Sequence, residues 1–139
     1  AAAAIVGQAG AGWDYQVVPG VIFTDPEIAT VGLTEAEAKE KGIECKVGRF
    51  NFAGNGRALS MHAAEGLIKV ITRAEDDVII GVHMVGPSVT DMISEAGLAI
   101  ESGLTAEDVS LTIHPHPTLS EVFMEACEDV HSMCIHAAK

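Results

Sequence analysis

The stretch His114-Pro115-His116-Pro117-Thr118-Leu119-Ser120-Glu121 carries the side chains of this chain best suited to chemistry. An imidazole stands five residues ahead of a carboxylate, across a segment stiffened by proline. A carboxylate that bonds one ring nitrogen fixes the tautomer and stabilises the imidazolium, which tunes the ring for proton abstraction. Pro117 pushes the backbone of His116 toward the extended region and fixes the chain direction. The ring is therefore expected to project from the domain rather than into its core. His116 is the candidate base and Glu121 its candidate orienting group. His114 has the same chemistry but is less well spaced from Glu121.

Both residues also have structural readings. Thr118-x-x-Glu121 fits a capping box, with Thr118 as the N-cap and Glu121 bonding its backbone N–H. The cap and the orienting role are compatible, because a carboxylate has several acceptor sites. His116 could equally be a solvated loop histidine.

A second group of candidate ligands lies near the C-terminus. Cys127 and His131 stand at i and i+4 of a helical stretch, with Cys134 and His136 just beyond. Zinc accepts these ligand types. The spacing matches no established metal motif, and Cys127 sits at the edge of an apolar stripe where a buried cysteine is common.

Positioning these residues requires a folded domain, and the chain is able to form one. It has 139 residues, of which 48% are hydrophobic, and its mean hydropathy is positive, which excludes a disordered tail. Aromatics make up only 4%, so the core is expected to be built from Val, Ile, Leu, Ala and Met. Eight basic residues against 20 acidic ones give a net charge of −12. This balance disfavours nucleic acid and anionic membranes, which recruit basic patches. It suits solubility or docking on a basic partner. No apolar run approaches the ~20 residues needed to span a bilayer. The opening alanines lack the basic flank of a signal peptide. Cys45, Cys127 and Cys134 are odd in number and show no disulfide-scaffold spacing, which points to a reducing compartment.

Ala1 to Val6 reads as the end of a helix stopped at Gly7 or Gly10, and a chain opening inside a helix suggests a piece of a larger protein. A Gly/Ala loop and Trp13-Asp14-Tyr15 then lead to strand candidates at 19–24 and 28–33. Thr34 and Glu37 have capping-box spacing for a short helix ended by Gly42. Residues 43–52 read as a strand and 53–57 as a loop. The strands 66–73 and 78–85 flank Ala74-Glu75-Asp76-Asp77 and form the clearest hairpin. Helical spacing recurs over 88–102, in a shorter helix after Thr105, and through the stripe Leu119, Val122, Phe123, Ala126 and Val130. Early strands and late helices argue for an α+β fold, an antiparallel sheet of about five strands covered by helices.

The run His116-Pro117-Thr118-x-x-Glu121 resembles the C-terminal signature of the pyridine nucleotide-disulfide oxidoreductases, and Leu119-Ser120 is most similar to their dihydrolipoamide dehydrogenase branch. Upstream, residues 21–29 resemble the family's opening strand and turn. Val31-Gly32-Leu33-Thr34-Glu35, Asn55-Gly56-Arg57-Ala58 and His83-Met84-Val85-Gly86 resemble later landmarks. The likeness spans about residues 17–129.

It implies that residues 17–139 are the interface domain of a homodimer, with 1–16 a remnant of the preceding central domain. It further implies that His116, oriented by Glu121, takes a proton from a dihydrolipoamide thiol in the partner subunit's active site. The backbone of His116 and Pro117 would approach the partner's flavin. The thiolate would attack a redox-active disulfide, and electrons would pass through FAD to NAD+. The partner substrate would be lipoamide on an acyltransferase of a 2-oxo acid dehydrogenase complex. The location would be bacterial cytoplasm or mitochondrial matrix.

The chain carries no G-x-G-x-x-G fingerprint, since Gly7-Gln8-Ala9-Gly10-Ala11-Gly12 is neither preceded by a strand nor followed by a helix. No two of its cysteines are spaced C-x-x-x-x-C. Alone it is expected to bind neither FAD nor NAD well, and no metal. Two alternatives remain open at this level. One is a purely structural homodimerisation module using helices 88–102 and 119–130. The other is the interface domain of another branch, such as a glutathione-reductase-like enzyme.

Overall fold

The computed structural model describes residues 2–10, 12 and 14–136. Trp13 and the last three residues of the C-terminal run lie outside the described residues. After a short helix α1 (Ala2–Ile5) the chain forms β1 (Gly20–Ile22), β2 (Glu27–Gly32), α2 (Glu35–Glu40), β3 (Cys45–Asn51) and α3 (Gly56–Ser60). It continues as β4 (Leu67–Arg73), β5 (Ile79–Gly86), α4 (Val89–Glu101), α5 (Ala106–Leu111) and α6 (Glu121–Val130). The five strands make one sheet in the order β1-β2-β5-β4-β3, and every pairing is antiparallel. The expected α+β architecture is the one observed.

Strand register puts alternate residues on the two faces of the sheet. Two rows run across it on the covered face: Ala29, Met84, Ile68 and Phe50, then Val31, Val82, Val70 and Gly48. All eight are buried. Helix α4 packs on β2 and β5, α6 packs on β3 and β4, and α5 lies against α6. Ile93, Ala96, Val122, Phe123 and Ala126 join the strand rows in one hydrophobic cluster. Burying each large side chain of this kind contributes about 1.5–3 kcal/mol. The apolar stripe of α6 therefore faces its own sheet, not a partner.

Gly48 sets how closely α6 approaches. A Cβ there would meet the Ala126 carbonyl oxygen at 2.0 Å and the Val130 nitrogen at 2.7 Å. Only a residue without a side chain lets the helix that begins at Glu121 lie on β3.

Three expectations need correction. Residues 53–57 are not a plain loop. Phe52–Gly54 is a 3₁₀ turn, and Asn55 then caps α3 by accepting from Ala58 N. A side-chain oxygen that caps a helix makes helix out of a Gly-rich stretch. Second, α6 starts at Glu121 rather than 119, with Ser120 as its N-cap. Third, the capping box at Thr118 is only half formed, as described below.

Replacing Gly48 with Ala forces α6 off β3. We expect Gly48→Ala to lower unfolding stability by about 2 kcal/mol or more, read as a lower urea midpoint with unchanged slope. A midpoint equal to wild type would show that the helix is not held at this distance.

Candidate functional site

The candidate site lies in the connection between α5 and α6, residues 112–120. His116 is the exposed residue of the pair, with 78% of its side chain open to solvent against 16% for Glu121. The ring Nδ1 lies 2.9 Å from Glu121 Oε1. Thr118 N donates to the other carboxylate oxygen at 2.7 Å. An ionised carboxylate only accepts, so the proton sits on Nδ1 and Nε2 is left as the open base nitrogen. Among the described residues no protein group takes Nε2. The arrangement is that of a steered imidazole ready to remove a proton.

Sequence spacing left open whether Glu121 caps the helix or orients the ring. One oxygen orients the ring and the other takes the expected bond from Thr118 N–H, although Ser120 and not Thr118 is the N-cap of α6. The other half of the expected box is absent. Thr118 Oγ1 donates to the Pro115 carbonyl at 2.7 Å and lies 3.0 Å from Ser120 Oγ. That bond ties the threonine to the proline segment instead of to the helix.

Sequence reading passed over two residues from elsewhere in the chain that hold this loop, and a third that holds the tail following α6. Asn55, 5% exposed, donates from Nδ2 to the Thr118 carbonyl at 2.9 Å while its Oδ1 caps α3. Glu95 of α4 meets His114 Nε2 at 2.9 Å. Glu125 of α6, 6% exposed, receives the C-terminal tail. Only Asn55 carried a usable signal, an Asn-Gly ahead of a short helix.

The tail turns back because α6 ends in a Schellman motif. Ser132 takes φ 59, its N–H bonds to the Asp129 carbonyl, and Met133 N bonds to the Glu128 carbonyl. Cys134 then donates to Glu125 Oε2 at 2.8 Å, and His136 Nδ1 bonds Oε1 of the same carboxylate. Burial works to raise the Glu125 carboxyl, but the bonds from Cys134 and His136 outweigh it and leave it below its usual value. The bond to Glu125 raises the His136 imidazole. A cavity of about 220 Å³ is lined by His116, Glu121, Glu125 and His136 together with Asn55 and Leu59.

The four candidate metal ligands do not come together. Cys127 is fully buried in the core, where burial pushes its thiol well up, and His131 Nε2 pairs with Asp77 Oδ2 at 3.0 Å. Cys134 and His136 instead converge on Glu125. The donor atoms of Glu125, Glu128 and Cys134 lie within 4.8 Å of one another, a different set from the one the sequence suggested. Among the described residues no helix is long and apolar enough to cross a membrane.

Residues 18–127 match the profile of the family described as pyridine nucleotide-disulphide oxidoreductase, dimerisation domain. Curated relatives include the dihydrolipoyl dehydrogenase of Bacillus subtilis (strain 168), 52% identical over 139 residues. The match covers 100% of this chain and 29% of the relative. The dihydrolipoyl dehydrogenase of Staphylococcus aureus is 54% identical over 136 residues, covering 98% and 29%. The chain thus spans under a third of the length of these relatives. Among solved structures, the HOCl-induced flavoprotein disulfide reductase RclA from Escherichia coli shares the fold. Its TM-score is 0.85 at 24% identity, over 91% of this chain and 30% of that one.

The tail contact makes a pH prediction. A carboxylate lowered on folding stabilises above its ordinary pKa, and an imidazole raised on folding stabilises below its own. The Glu125–His136 contact is therefore fully present between the ordinary values of 4.5 and 6.5. It is lost as pH falls through the lowered carboxyl value or rises through the raised imidazole value. NMR titration should give a lower His136 midpoint in Glu125→Gln than in wild type; equal midpoints would refute the contact.

Proposed function

Since the chain belongs to the pyridine nucleotide-disulphide oxidoreductase dimerisation-domain family, we propose that it is the C-terminal interface domain of a dihydrolipoyl dehydrogenase. In this reading it supplies the His116–Glu121 base to the active site of a partner subunit. The observation that carries the proposal is the exposed His116 ring, bonded through Nδ1 to Glu121 with Nε2 directed outward. Residues 17–139 form the domain, and 1–16 continue from the parent's central domain.

His116 Nε2 takes the proton of a dihydrolipoamide thiol. The resulting thiolate attacks one sulfur of a redox-active disulfide and forms a mixed disulfide, expelling the other sulfur as a thiolate. The imidazolium passes its proton to the expelled thiolate. His116 then takes the proton of the second lipoamide thiol, whose sulfur attacks the lipoamide sulfur of the mixed disulfide and expels the enzyme sulfur. This closes the lipoamide disulfide and leaves the enzyme dithiol reduced by two electrons. Glu121 holds the tautomer and stabilises the imidazolium between these steps. FAD and NAD+, held by the rest of the parent, supply the two-electron relay that reoxidises the dithiol. The backbone at His116 and Pro117, which is exposed, would be the part of this chain that faces the partner's flavin, and the chain by itself would turn nothing over.

A homodimer is part of the proposal. Leu98, Leu111 and Ile113 are 65%, 76% and 95% exposed. Leu98 lies one turn from Glu95 on α4, whose carboxylate touches His114, and the other two flank Thr112. Large exposed apolar side chains on α4 and on the segment that leads into the His-Pro run support a covering surface there. Helix α6, by contrast, offers its apolar stripe to its own sheet. The substrate would be lipoamide on an acyltransferase of a 2-oxo acid dehydrogenase complex, and the relatives' bacterial origin supports a cytoplasmic location.

In the full-length parent, His116→Gln is expected to slow dihydrolipoamide oxidation by ~10²-fold or more while the dimer mass, read by light scattering, is unchanged. Wild-type turnover in that variant would refute the assignment of the base.

A further inference from the structure

His114 is the buried member of the His-Pro run. Only 4% of its side chain is exposed, although its neighbour Ile113 is 95% exposed. Its Nδ1 lies 2.8 Å from the Thr112 carbonyl oxygen, which only accepts, so Nδ1 carries a proton. Its Nε2 lies 2.9 Å from Glu95 Oε1, an acceptor as well when ionised. Both ring nitrogens are therefore engaged, one by a carbonyl and the other by a carboxylate. A bond to an ionised carboxylate belongs to the stronger, charge-assisted class. The His114 side chain is 4% exposed and that of Glu95 39%, so removing Glu95 leaves a ring nitrogen out of water without its partner, with a larger effect than losing a surface pair.

The anchor of this clamp is rigid. Glu95 sits on α4 between Ile93 and Ala96, both in the hydrophobic cluster, and α4 packs on β2 and β5. Two residues beyond His114 comes His116. The downstream end of the same loop is fixed by Asn55 and Glu121 at Thr118. The His116 backbone is thus strung between a fixed point on α4 and fixed points on α3 and α6. Glu121 orients the ring, but it does not set where the Cα stands on the upstream side.

We infer that Glu95 and His114 are positioning residues for His116, setting the place from which the base reaches its substrate. The inference rests on the proposed reading of His116 as that base. A base displaced by about 1 Å loses much of its effect without losing its chemistry.

The test uses the full-length parent as its flavin-loaded dimer. Two rates are measured: dihydrolipoamide oxidation, which needs the base, and NADH oxidation by an artificial electron acceptor, which needs the flavin but no thiol deprotonation. Glu95→Ala is expected to lower kcat for dihydrolipoamide about tenfold or more. KM should stay within about twofold, and the NADH-acceptor rate should not change. Glu95→Gln, whose amide still bonds the ring of His114, should recover most of the lost kcat. The inference is overturned if Glu95→Ala turns over thiol like wild type, or if both rates fall together as general loss of structure would require. It is also overturned if Glu95→Gln is no better than Glu95→Ala. His116→Gln runs in parallel. A fast His116→Gln removes the underlying reading and this inference with it, whereas a slow His116→Gln beside a fast Glu95→Ala removes the positioning pair alone.

Discussion

One carboxylate holds the candidate site together. Glu121 is the first residue of α6, and its two oxygens take two different donors, His116 Nδ1 and Thr118 N. The second bond fixes the backbone two residues beyond His116, and the first fixes the ring itself. Neither constraint alone would serve. A tied backbone with a free ring leaves the tautomer undecided, and a bonded ring on a loose loop leaves its position undecided. A hydrogen bond from a backbone N–H to a carboxylate contributes about 1.5–3 kcal/mol. The bond to the exposed ring is worth less, because water competes for it. The bond from Thr118 therefore holds the carboxylate, and the carboxylate then holds the ring.

Everything beneath Glu121 serves to keep that residue still. Helix α6 reaches β3 only because Gly48 has no side chain to push against Ala126 and Val130, and Phe123 and Val122 then fill the space between helix and sheet. Asn55 joins a different part of the chain to the same loop, capping α3 with one end of its amide and holding Thr118 with the other. The loop that carries His116 is thus tied to the three helices α3, α4 and α6. This is how a solvent-facing segment can hold a chemically useful geometry without being buried.

The parts that could be read from the sequence are those whose causes are local. The hairpin of β4 and β5 is written in two β-rich runs around a polar turn. The caps at Thr34 and Thr105 are written in the three-residue spacing that both capping boxes realise. The pair His116 and Glu121 was legible for the same reason. What the sequence hid depends on distance along the chain. Glu95 and His114 are separated by 19 residues and Asn55 and Thr118 by 63, so no periodicity links them. Residues 53–57 read as a loop because Gly54 and Gly56 mask what a single asparagine oxygen can do for a short helix. The supposed metal ligands looked related because they are close in sequence. The helix instead separates Cys127, which faces the core, from His131, which faces Asp77.

The His116 imidazole is open to water over 78% of its side chain. In high dielectric a neighbouring carboxylate acts weakly on it, and the same pair acts several times more strongly once water is removed. Among the described residues little covers the ring, and in the proposed assembly the drying surface comes from outside the domain. Leu111 and Ile113 are exposed on the segment that leads into the ring, and Leu98 is exposed one turn from Glu95 on α4. The orientation of the base is therefore built into one chain, while its strength as a base depends on the covering surface, and in the proposed assembly the second subunit supplies it.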